Sequence, residues 1–183
     1  MTSWPVRYHI DQHDRLDRFN EGWVVFAEAN DGHALHPSRI RGRTLWEFVT
    51  EPTTAQLYQR VLSRLRQGGS AIALRLRCDA PDRRRLLTME MTADHEGGIQ
   101  FEVTPVFEES RPPVALLDTR RALGADLLVV CAWCNRIHVP LVGWKEVEEA
   151  TVVLRLFETV PLPQLTHGVC SDCSDGILAM VEA

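Results

Sequence analysis

The sequence predicts an α+β fold: one five-stranded antiparallel sheet with helices on one face, followed by a small cysteine-rich tail. Residues 6–10 and three segments between residues 72 and 103 alternate apolar with polar residues, the period of half-buried strands. Residues 15–19 alternate poorly but are placed to form a fifth strand. Between these groups, the apolar residues of 53–67 recur at helical spacing. Five strands with helices inserted after the second favour a single sheet covered by those helices.

Each early element has its own local signal. Residues 6–10 alternate, and residues 15–19 are expected to return as the partner strand of a hairpin. Asn20 can cap the helix that follows, because its side chain can accept a hydrogen bond from a backbone N–H in the first turn. The turn-forming run Asn-Asp-Gly at residues 30–32 ends that helix, and residues 33–41 are expected to form a loop.

The clearest helix is predicted to begin near Pro52 and to end at Gly68-Gly69. Its apolar face contains Leu57, Tyr58, Val61, Leu62 and Leu65. The three strands that follow cover residues 72–78, 87–91 and 99–103, with turn residues between them.

Composition places the chain among globular proteins, with 45% hydrophobic and 25% charged residues. The net charge of −5 disfavours broad binding to nucleic acid, which needs a basic surface. No apolar run reaches the roughly 18 residues of a membrane span, and the first residues lack the pattern of a secretory signal. We therefore expect a cytoplasmic protein with neither a membrane nor a nucleic-acid partner.

Two Cys-x-x-Cys pairs are the strongest chemical signal in the chain: Cys131 with Cys134, and Cys170 with Cys173. A two-residue gap lets one turn supply two sulfurs to one metal, and zinc favours a tetrahedron of such ligands. The pairs lie further apart than the roughly 15–20 residues of compact zinc ribbons, which leaves room for a helix between them. The pattern predicts one structural zinc bound by the four cysteines.

Two other uses of these cysteines have less support. A thioredoxin-like Cys-x-x-Cys follows a strand and opens a helix within a βαβ unit, and no βαβ pattern is expected around Cys131. Catalytic zinc keeps an open position for water, which four thiolates would close. A redox-responsive regulator, in which oxidation of the pairs releases zinc, remains the alternative function. Cys78, the fifth cysteine, is expected to be a small buried apolar residue.

Two histidines lie near the pairs. His167 precedes Cys170 by three residues, and it could bind the metal or donate a hydrogen bond to a ligand sulfur. Because four cysteines already complete a tetrahedron, the hydrogen-bonding role is favoured. His138 is expected to be an ordinary loop histidine.

The charged run that ends in two prolines at 108–113 is the best boundary between domains. It divides the chain into a domain of residues 1–107, a connector of residues 108–130 and a zinc-binding tail of residues 131–183. Two helices are expected in this tail, so we predict that it is α-rich. Their apolar residues are Trp144, Val147, Thr151 and Leu154 for the first and the run from Ile177 to Val181 for the second.

The order of elements in residues 1–107 resembles that of a PAS domain, the sensory module common in bacterial signalling. The run Gly42-Arg43-Thr44-Leu45-Trp46 looks like the glycine-containing stretch before the long helix of many PAS domains. Residues 131–137 and 166–173, Cys-Ala-Trp-Cys-Asn-Arg-Ile and Thr-His-Gly-Val-Cys-Ser-Asp-Cys, resemble a cysteine-rich tail that follows PAS and other sensory domains. The resemblance implies signal transduction and metal-binding cysteines.

A PAS-like fold implies a possible ligand cavity between sheet and helices. The residues expected to face it, or to fill it as ordinary core, are Trp23, Phe26, Trp46, Phe48, Leu57, Tyr58, Val61, Leu74, Met89 and Phe101. Haem-binding relatives commonly use a histidine on the long helix, and residues 53–67 contain none. Light-sensing flavin relatives carry a helical cysteine, and none precedes Gly68. Neither haem nor photoreactive flavin is expected, and any small-molecule ligand stays unidentified.

Arginines crowd the hairpin between the third and fourth strands. They are Arg75, Arg77, Arg83, Arg84 and Arg85. They are expected either to bind an anion or an acidic partner, or to form a solvated edge that discourages strand pairing.

The chain contains no nucleophile elbow, phosphate-binding loop or kinase signature. We therefore expect a non-catalytic regulatory module whose effect passes through a signalling partner protein or a homodimer. The apolar runs at 114–117 and 127–130 need burial, either within the chain or against a second copy.

Overall fold

The computed structural model describes residues 4–118, 121, 123–156 and 161–182. The first half contains β1 (Val6–Ile10), β2 (Leu16–Phe19), α1 (Glu21–Ala29), α2 (Pro37–Ile40), α3 (Pro52–Arg66), β3 (Ile72–Arg77), β4 (Arg83–Ala93) and β5 (Ile99–Ser110). The strands lie in the order β2-β1-β5-β4-β3, and every neighbouring pair is antiparallel. This arrangement confirms the predicted five-stranded sheet and the order of its elements.

Local side chains determine where the longer helices begin. The Asn20 side chain accepts a hydrogen bond from the Trp23 backbone N–H at 3.0 Å, which confirms the predicted cap of α1. α3 follows Glu51, whose carboxylate accepts from the backbone N–H groups of Thr53 and Thr54 at 3.0 and 2.6 Å. Both caps satisfy N–H groups that helix geometry leaves without an internal partner.

The segment 33–41 differs from its sequence-based prediction. It was expected to be a loop, but it contains a 3₁₀ turn followed by α2. Pro37 lies in the first turn of α2, where its missing N–H costs nothing, and the His36 side chain accepts from the Ser38 backbone N–H. Ile40 is fully buried, so tertiary packing stabilises a helix that is too short to persist alone.

The apolar face of α3 packs on the first sheet and forms its main core. The buried residues of this core include Leu57, Val61, Leu62, Leu65, Leu74, Met89, Met91 and Phe101. β5 continues to Ser110, three residues past the boundary expected at residue 107. The charged run after that boundary is therefore strand and not linker in its first part.

Two hairpin ends of the first sheet are joined by a polar cluster. His9, buried on β1, lies between carboxylate oxygens of Asp17 at 2.6 Å and Asp94 at 3.0 Å. Asp94 also accepts from the backbone N–H groups of Glu96 and Gly98 at 2.9 and 2.8 Å. Burial opposes the charge of Asp94, but the hydrogen bonds outweigh it and lower its pKa to about 2.

A second sheet occupies the C-terminal part of the chain. Its elements are β6 (Leu123–Cys131), β7 (Ile137–Val139), β8 (Gly143–Lys145), α4 (Val147–Val153), β9 (Leu162–Gly168) and α5 (Ser171–Glu182). The strand order is β8-β7-β6-β9, with β6 and β9 parallel and the other pairs antiparallel. The prediction of an α-rich tail is therefore wrong, because a mixed sheet accompanies the two helices.

Short strands and a distant pairing explain why the sequence pattern missed this sheet. β7 and β8 have three residues each, too few for alternation to be recognised. β6 lies largely in the expected connector, and its partner β9 follows only after α4. Because β6 and β9 are parallel neighbours with a helix between them in sequence, the expectation that no βαβ pattern surrounds Cys131 is also wrong.

The arginine-rich hairpin joins the two halves of the molecule. Arg84 and Arg111 each place a guanidinium nitrogen 2.8 Å from the Glu148 carboxylate of α4, and Arg77 lies 3.2 Å from Glu146. The remaining hairpin arginines differ: Arg83 pairs with Glu108, Arg85 contacts Asn30 and Glu108, and Arg75 is exposed. The cluster was expected either to bind an anion or acidic partner or to form a solvated edge. Carboxylates of the chain itself pair with four of its five arginines, and Arg75 is exposed.

The two apolar runs of the connector are mostly covered within one chain. They contribute to a second core whose buried residues are Leu116, Val130, Ile137, Val139, Val147, Ala150, Leu156 and Leu162. Leu127 is an exception and is 62% exposed. Within the described ranges, no helix is both long and apolar enough to cross a membrane.

Candidate metal centre

The first cysteine pair lies in a tight turn between β6 and β7. Cys131 is the last residue of β6, and its carbonyl accepts from the Asn135 backbone N–H at 3.0 Å. Its own N–H donates to the Arg136 carbonyl at 2.8 Å. Asn135 has a φ of +61°, a left-handed conformation that asparagine tolerates better than most residues. These bonds turn Cys134 back toward the end of β6.

The second pair lies where β9 passes into α5. Cys170 immediately precedes the helix, and Cys173 lies in its first turn. Gly168 ends β9 where a Cβ would come within 2.7 Å of the Val129 side chain, so glycine lets β9 approach β6 closely. The Cys170 backbone N–H lies 3.4 Å from the Cys131 sulfur and donates to it, which links the two pairs.

The four sulfur atoms lie within 4.8 Å of one another. Cys134 Sγ and Cys170 Sγ are 3.7 Å apart. A tetrahedral zinc with bonds of about 2.3 Å places its sulfurs roughly 3.8 Å apart, so this spacing fits one metal ion. Cys131 and Cys170 are buried, whereas Cys134 and Cys173 are half-buried. All five cysteines of the chain are free thiols.

Electrostatics oppose four negative charges at this position unless a cation is bound. A hydrogen bond to Cys131 and burial raise the pKa of Cys134 to about 12. Burial, with the neighbouring sulfur of Cys170, raises the pKa of Cys173 to about 12 as well. The Cys131 pKa is lowered, mainly by its hydrogen bond from Cys134. The cluster can therefore present four thiolates at neutral pH only if a metal ion displaces the protons.

Arg136 is the charged partner of the cysteine cluster. Its Nε donates to Cys134 Sγ at 3.2 Å, and a terminal nitrogen lies 3.8 Å from Cys170 Sγ. The same nitrogen donates to Asp172 at 3.0 Å, which holds the guanidinium in place. Hydrogen bonds to Cys134 and Asp172 raise the Arg136 pKa above its ordinary value. Sequence reasoning passed over Arg136, although its place two residues after Cys134 was a usable signal.

His167 does not occupy the position that the sequence suggested. It is exposed on β9, and within the described part of the chain it makes no hydrogen bond to a cysteine sulfur. Its backbone pairs with Val130, and it lines a cleft beside Trp133. Arg136 makes the contacts to sulfur that His167 was expected to make. His138 lies on β7 rather than in a loop, edge-on to Trp144 at 5.3 Å.

Trp133, between the two cysteines of the first pair, attaches the cysteine cluster to the first half. Its side chain is 4% exposed and stacks on Tyr58 of α3, with ring centroids 5.4 Å apart. Its carbonyl accepts from the Arg77 backbone N–H of β3 at 2.6 Å. Burial raises the pKa of Tyr58 to about 12, so its hydroxyl stays neutral. Cys131, Cys170 and Trp133 belong to the same apolar cluster as the core of the first sheet.

A cavity of about 340 Å³ lies between α1 and the first sheet. Of the residues expected to face a cavity, Trp23, Phe26, Tyr58 and Met89 line it. Leu57, Val61, Leu74 and Phe101 are instead fully packed core, and Trp46 and Phe48 do not line this cavity. Trp46 donates to Asp14 at 2.9 Å, and Phe48 lines the cleft beside Trp133.

Sequence reasoning missed several residues of the cavity wall. They are Trp4, Val6, Tyr8, Ala27, Asn30, Gly32, Leu35, Leu76, Cys78, Leu87 and Val103. Strand alternation could have found some of them, because Leu87 shares a face of β4 with the predicted Met89, and Tyr8 lies in the same alternation as the apolar Val6 and Ile10 on β1. Cys78 was expected to be buried, but it is half-buried in this wall.

No protein-family model and no curated protein matches the sequence of this chain. Among solved structures, the sensory box sensor histidine kinase from Vibrio cholerae is similar over 57% of this chain and 83% of its own length. The sequence identity is 11% and the TM-score is 0.39.

Proposed function

We propose that the chain is a non-catalytic sensory or regulatory module. In this proposal a PAS-like domain carries a C-terminal unit held by one structural zinc, bound by Cys131, Cys134, Cys170 and Cys173. The main support for this proposal is that four sulfurs from two distant pairs lie within 4.8 Å of one another. Soft thiolate ligands favour zinc over magnesium or calcium, and four of them leave no open position for catalysis.

Bound zinc would cross-link β6 and the start of α5, so that its binding free energy becomes folding free energy. Two residues of the chain, Arg136 and Trp133, would support the zinc site. Arg136 places a positive charge against two of the sulfurs, which offsets the net negative charge of a four-thiolate zinc site. Trp133 anchors the turn on α3 and β3. The free thiols suit a reducing compartment, and we place the protein in the cytoplasm.

The sensory part of the proposal is supported by the PAS-like order of elements and by the apolar cavity. We infer that the output passes to a signalling partner protein. A homodimer stays a prediction, because the apolar runs that suggested it are mostly packed in the second core. A sedimentation or light-scattering mass of 20.8 kDa at all concentrations would argue against it.

Metal content and thiol titration test the proposal directly. Protein purified without chelator should carry one zinc per chain, and its four paired cysteines should react with a thiol reagent only after a chelator is added. Cys78→Ser is the matched control, because Cys78 lies outside the cluster and its loss should leave the zinc content unchanged. Protein that carries no metal and titrates all its thiols freely would contradict the proposal.

The alternative function, a redox-responsive regulator, is favoured by the half-burial of Cys134 and Cys173. Two thiolates would pass two electrons to a peroxide, forming one disulfide and, with two protons, two waters, while zinc leaves. Mild peroxide should then release zinc, and a dithiol with added zinc should restore it. Retention of zinc through that treatment would rule the redox function out and leave the structural function standing.

A further inference from the structure

The apolar cavity and the turn that carries the first cysteine pair are both in contact with α3 and with the end of β3. Tyr58 of α3 lines both the cavity of about 340 Å³ and the cleft of about 250 Å³ beside Trp133. Cys78, the residue after β3, also lines the cavity. The same two elements, α3 and the end of β3, therefore enclose the cavity and hold the turn that carries the first cysteine pair.

The first connection runs through side chains. The Tyr58 hydroxyl lies 3.9 Å from Met89 Sδ, and Met89 lines the cavity. On its other side, the Tyr58 ring stacks on Trp133, with an angle of 30° between the ring planes. A molecule that presses on Met89 or Tyr58 would therefore press on a ring that touches the cysteine-bearing turn.

The second connection runs through the backbone. The Arg77 N–H donates to the Trp133 carbonyl at 2.6 Å, and the N–H of the next residue, Cys78, donates to the Arg85 carbonyl at 3.1 Å. Cys78 also lines the cavity. A shift of Arg77 and Cys78 would therefore move the cavity wall and the Trp133 peptide together.

Trp133 has little freedom to absorb such a shift. It lies between Cys131 and Cys134 in sequence, and its side chain is buried. The neighbouring Ala132 N–H donates to the Gly168 carbonyl of β9 at 2.9 Å, just before the second pair. Movement of Trp133 is thus transmitted to the positions of both cysteine pairs.

The cavity walls define the chemistry of a ligand that could exert this effect. Four tryptophan and tyrosine rings line the cavity: Trp4, Tyr8, Trp23 and Tyr58. None of its lining residues is charged, and Asn30 is occupied by hydrogen bonds with Arg85 and the Phe26 carbonyl. Such walls favour a small uncharged apolar molecule with an aromatic ring.

We propose that a small apolar molecule in this cavity tightens the hold of the cysteine cluster on its zinc, through the contacts of Trp133 with Tyr58 and Arg77. The inference rests on the proposed zinc site. Filling the cavity restricts the side chains that support Trp133, and a more rigid cysteine turn loses its metal more slowly. By thermodynamic reciprocity, zinc increases the affinity of the cavity for its ligand by the same factor that the ligand increases the affinity for zinc.

The test uses zinc-loaded full-length chain and 4-fluorotoluene as the apolar probe, with binding followed by fluorine NMR. Zinc content is measured first, and the rate of zinc transfer to excess chelator is then recorded with and without saturating probe. We expect the probe to slow zinc transfer by about 5-fold or more, because coupling between sites typically changes affinity by at least this factor and changes in affinity appear mostly in the dissociation rate. Tyr58→Phe, which keeps the ring stack, should retain the effect, and Tyr58→Leu should lose most of it while still binding the probe.

The outcomes separate this inference from the proposed function. A chain without zinc would overturn the zinc site and the inference together. Zinc-loaded protein that binds no probe, or that binds it and releases zinc at an unchanged rate, would overturn the coupling alone. An effect of equal size in Tyr58→Leu would overturn the connection through Tyr58.

Discussion

The two sheets of this molecule are stabilised by different means. The first has five antiparallel strands, and a long amphipathic helix supplies much of its core. The second contains two strands of only three residues, and its longest pairing joins strands that are parallel and distant in sequence. A small sheet of this kind buries less apolar surface, so its stability depends more on cross-links and on contacts with the first half of the molecule. The cysteine cluster and the arginine contacts supply both.

The two halves of the molecule are joined at the cysteine turn. Most residues of the second sheet pack in a core of their own, but the cysteine turn packs in the core of the first sheet. The cysteine turn therefore joins the second sheet to the core of the first. Perturbations of this joint should unfold the second sheet before the first.

The largest effect is expected from Cys131→Ser. Because structural zinc can contribute on the order of 10 kcal/mol or more of apparent folding free energy, loss of a ligand should abolish zinc binding. Amide hydrogen exchange should show lost protection in β6 to β9 and retained protection in β1 to β5. Cys78→Ser is the control and should change neither sheet's protection. Simultaneous loss of protection in both sheets would contradict a self-sufficient first half.

Trp133→Ala should have the next largest effect. The side chain is 4% exposed, and removal of a buried tryptophan typically costs about 3–5 kcal/mol. Urea unfolding should show the second sheet separating at lower denaturant than in the parent protein. Trp144→Ala, which truncates a half-buried tryptophan of β8, should cost clearly less. Equal costs would mean that Trp133 has no special role in docking.

Arg136→Gln tests the charge beside the sulfurs. It should weaken zinc affinity by about 10–100-fold, the usual effect of removing a hydrogen bond to a metal ligand. His167→Ala should change the affinity little, since His167 is exposed and donates to no cysteine sulfur in the described residues. Competition with a chromophoric chelator measures both affinities. A larger loss of zinc affinity in His167→Ala than in Arg136→Gln would support the hydrogen bond to a ligand sulfur that was first predicted for His167.

Glu148→Gln tests the contact between α4 and the arginine-rich hairpin. Glu148 accepts from Arg84 and Arg111, and its side chain is 39% exposed. Solvent screening therefore limits the expected loss of stability to about 1 kcal/mol. Glu149→Gln is the matched control on the same helix, because its pair with Lys145 is more exposed. A loss that does not fall as salt concentration rises would contradict an ionic contact.

Asp94→Asn should have an effect no larger than that of Glu148→Gln, and it concerns the first sheet alone. The Asp94 pKa is lowered to about 2, so its contribution is present above the ordinary carboxyl value near 3.8 and is lost as pH falls toward 2. The carboxylate is 27% exposed, which reduces the expected cost at pH 7 to about 1 kcal/mol. Glu96→Gln, in the same turn, should leave the acid unfolding profile unchanged. If Asp94→Asn were still less stable than the parent protein at pH 2, the lost stability could not come from the ionised Asp94 carboxylate.

The elements that sequence patterns predicted well are those with local signals. Residues 6–10 and 99–103 alternate over their length, and the apolar face of α3 repeats without interruption. α2 escaped prediction because four residues carry no helical period, and its stability comes from the burial of Ile40. The second sheet escaped because two of its strands have three residues each, and because its parallel strands β6 and β9 are separated in sequence by β7, β8 and α4.

The sequence by itself determined which sulfurs could share a metal, because two residues between cysteines suit a single turn and four thiolates suit zinc. Only the tertiary structure decided that Arg136 rather than His167 contacts those sulfurs, and that Trp133 lies against Tyr58. The physical reason is distance along the chain. The Trp133–Tyr58 contact joins segments that have four strands, β3 to β6, between them in sequence. Local periodicity contains no information about which side chains such a fold brings together.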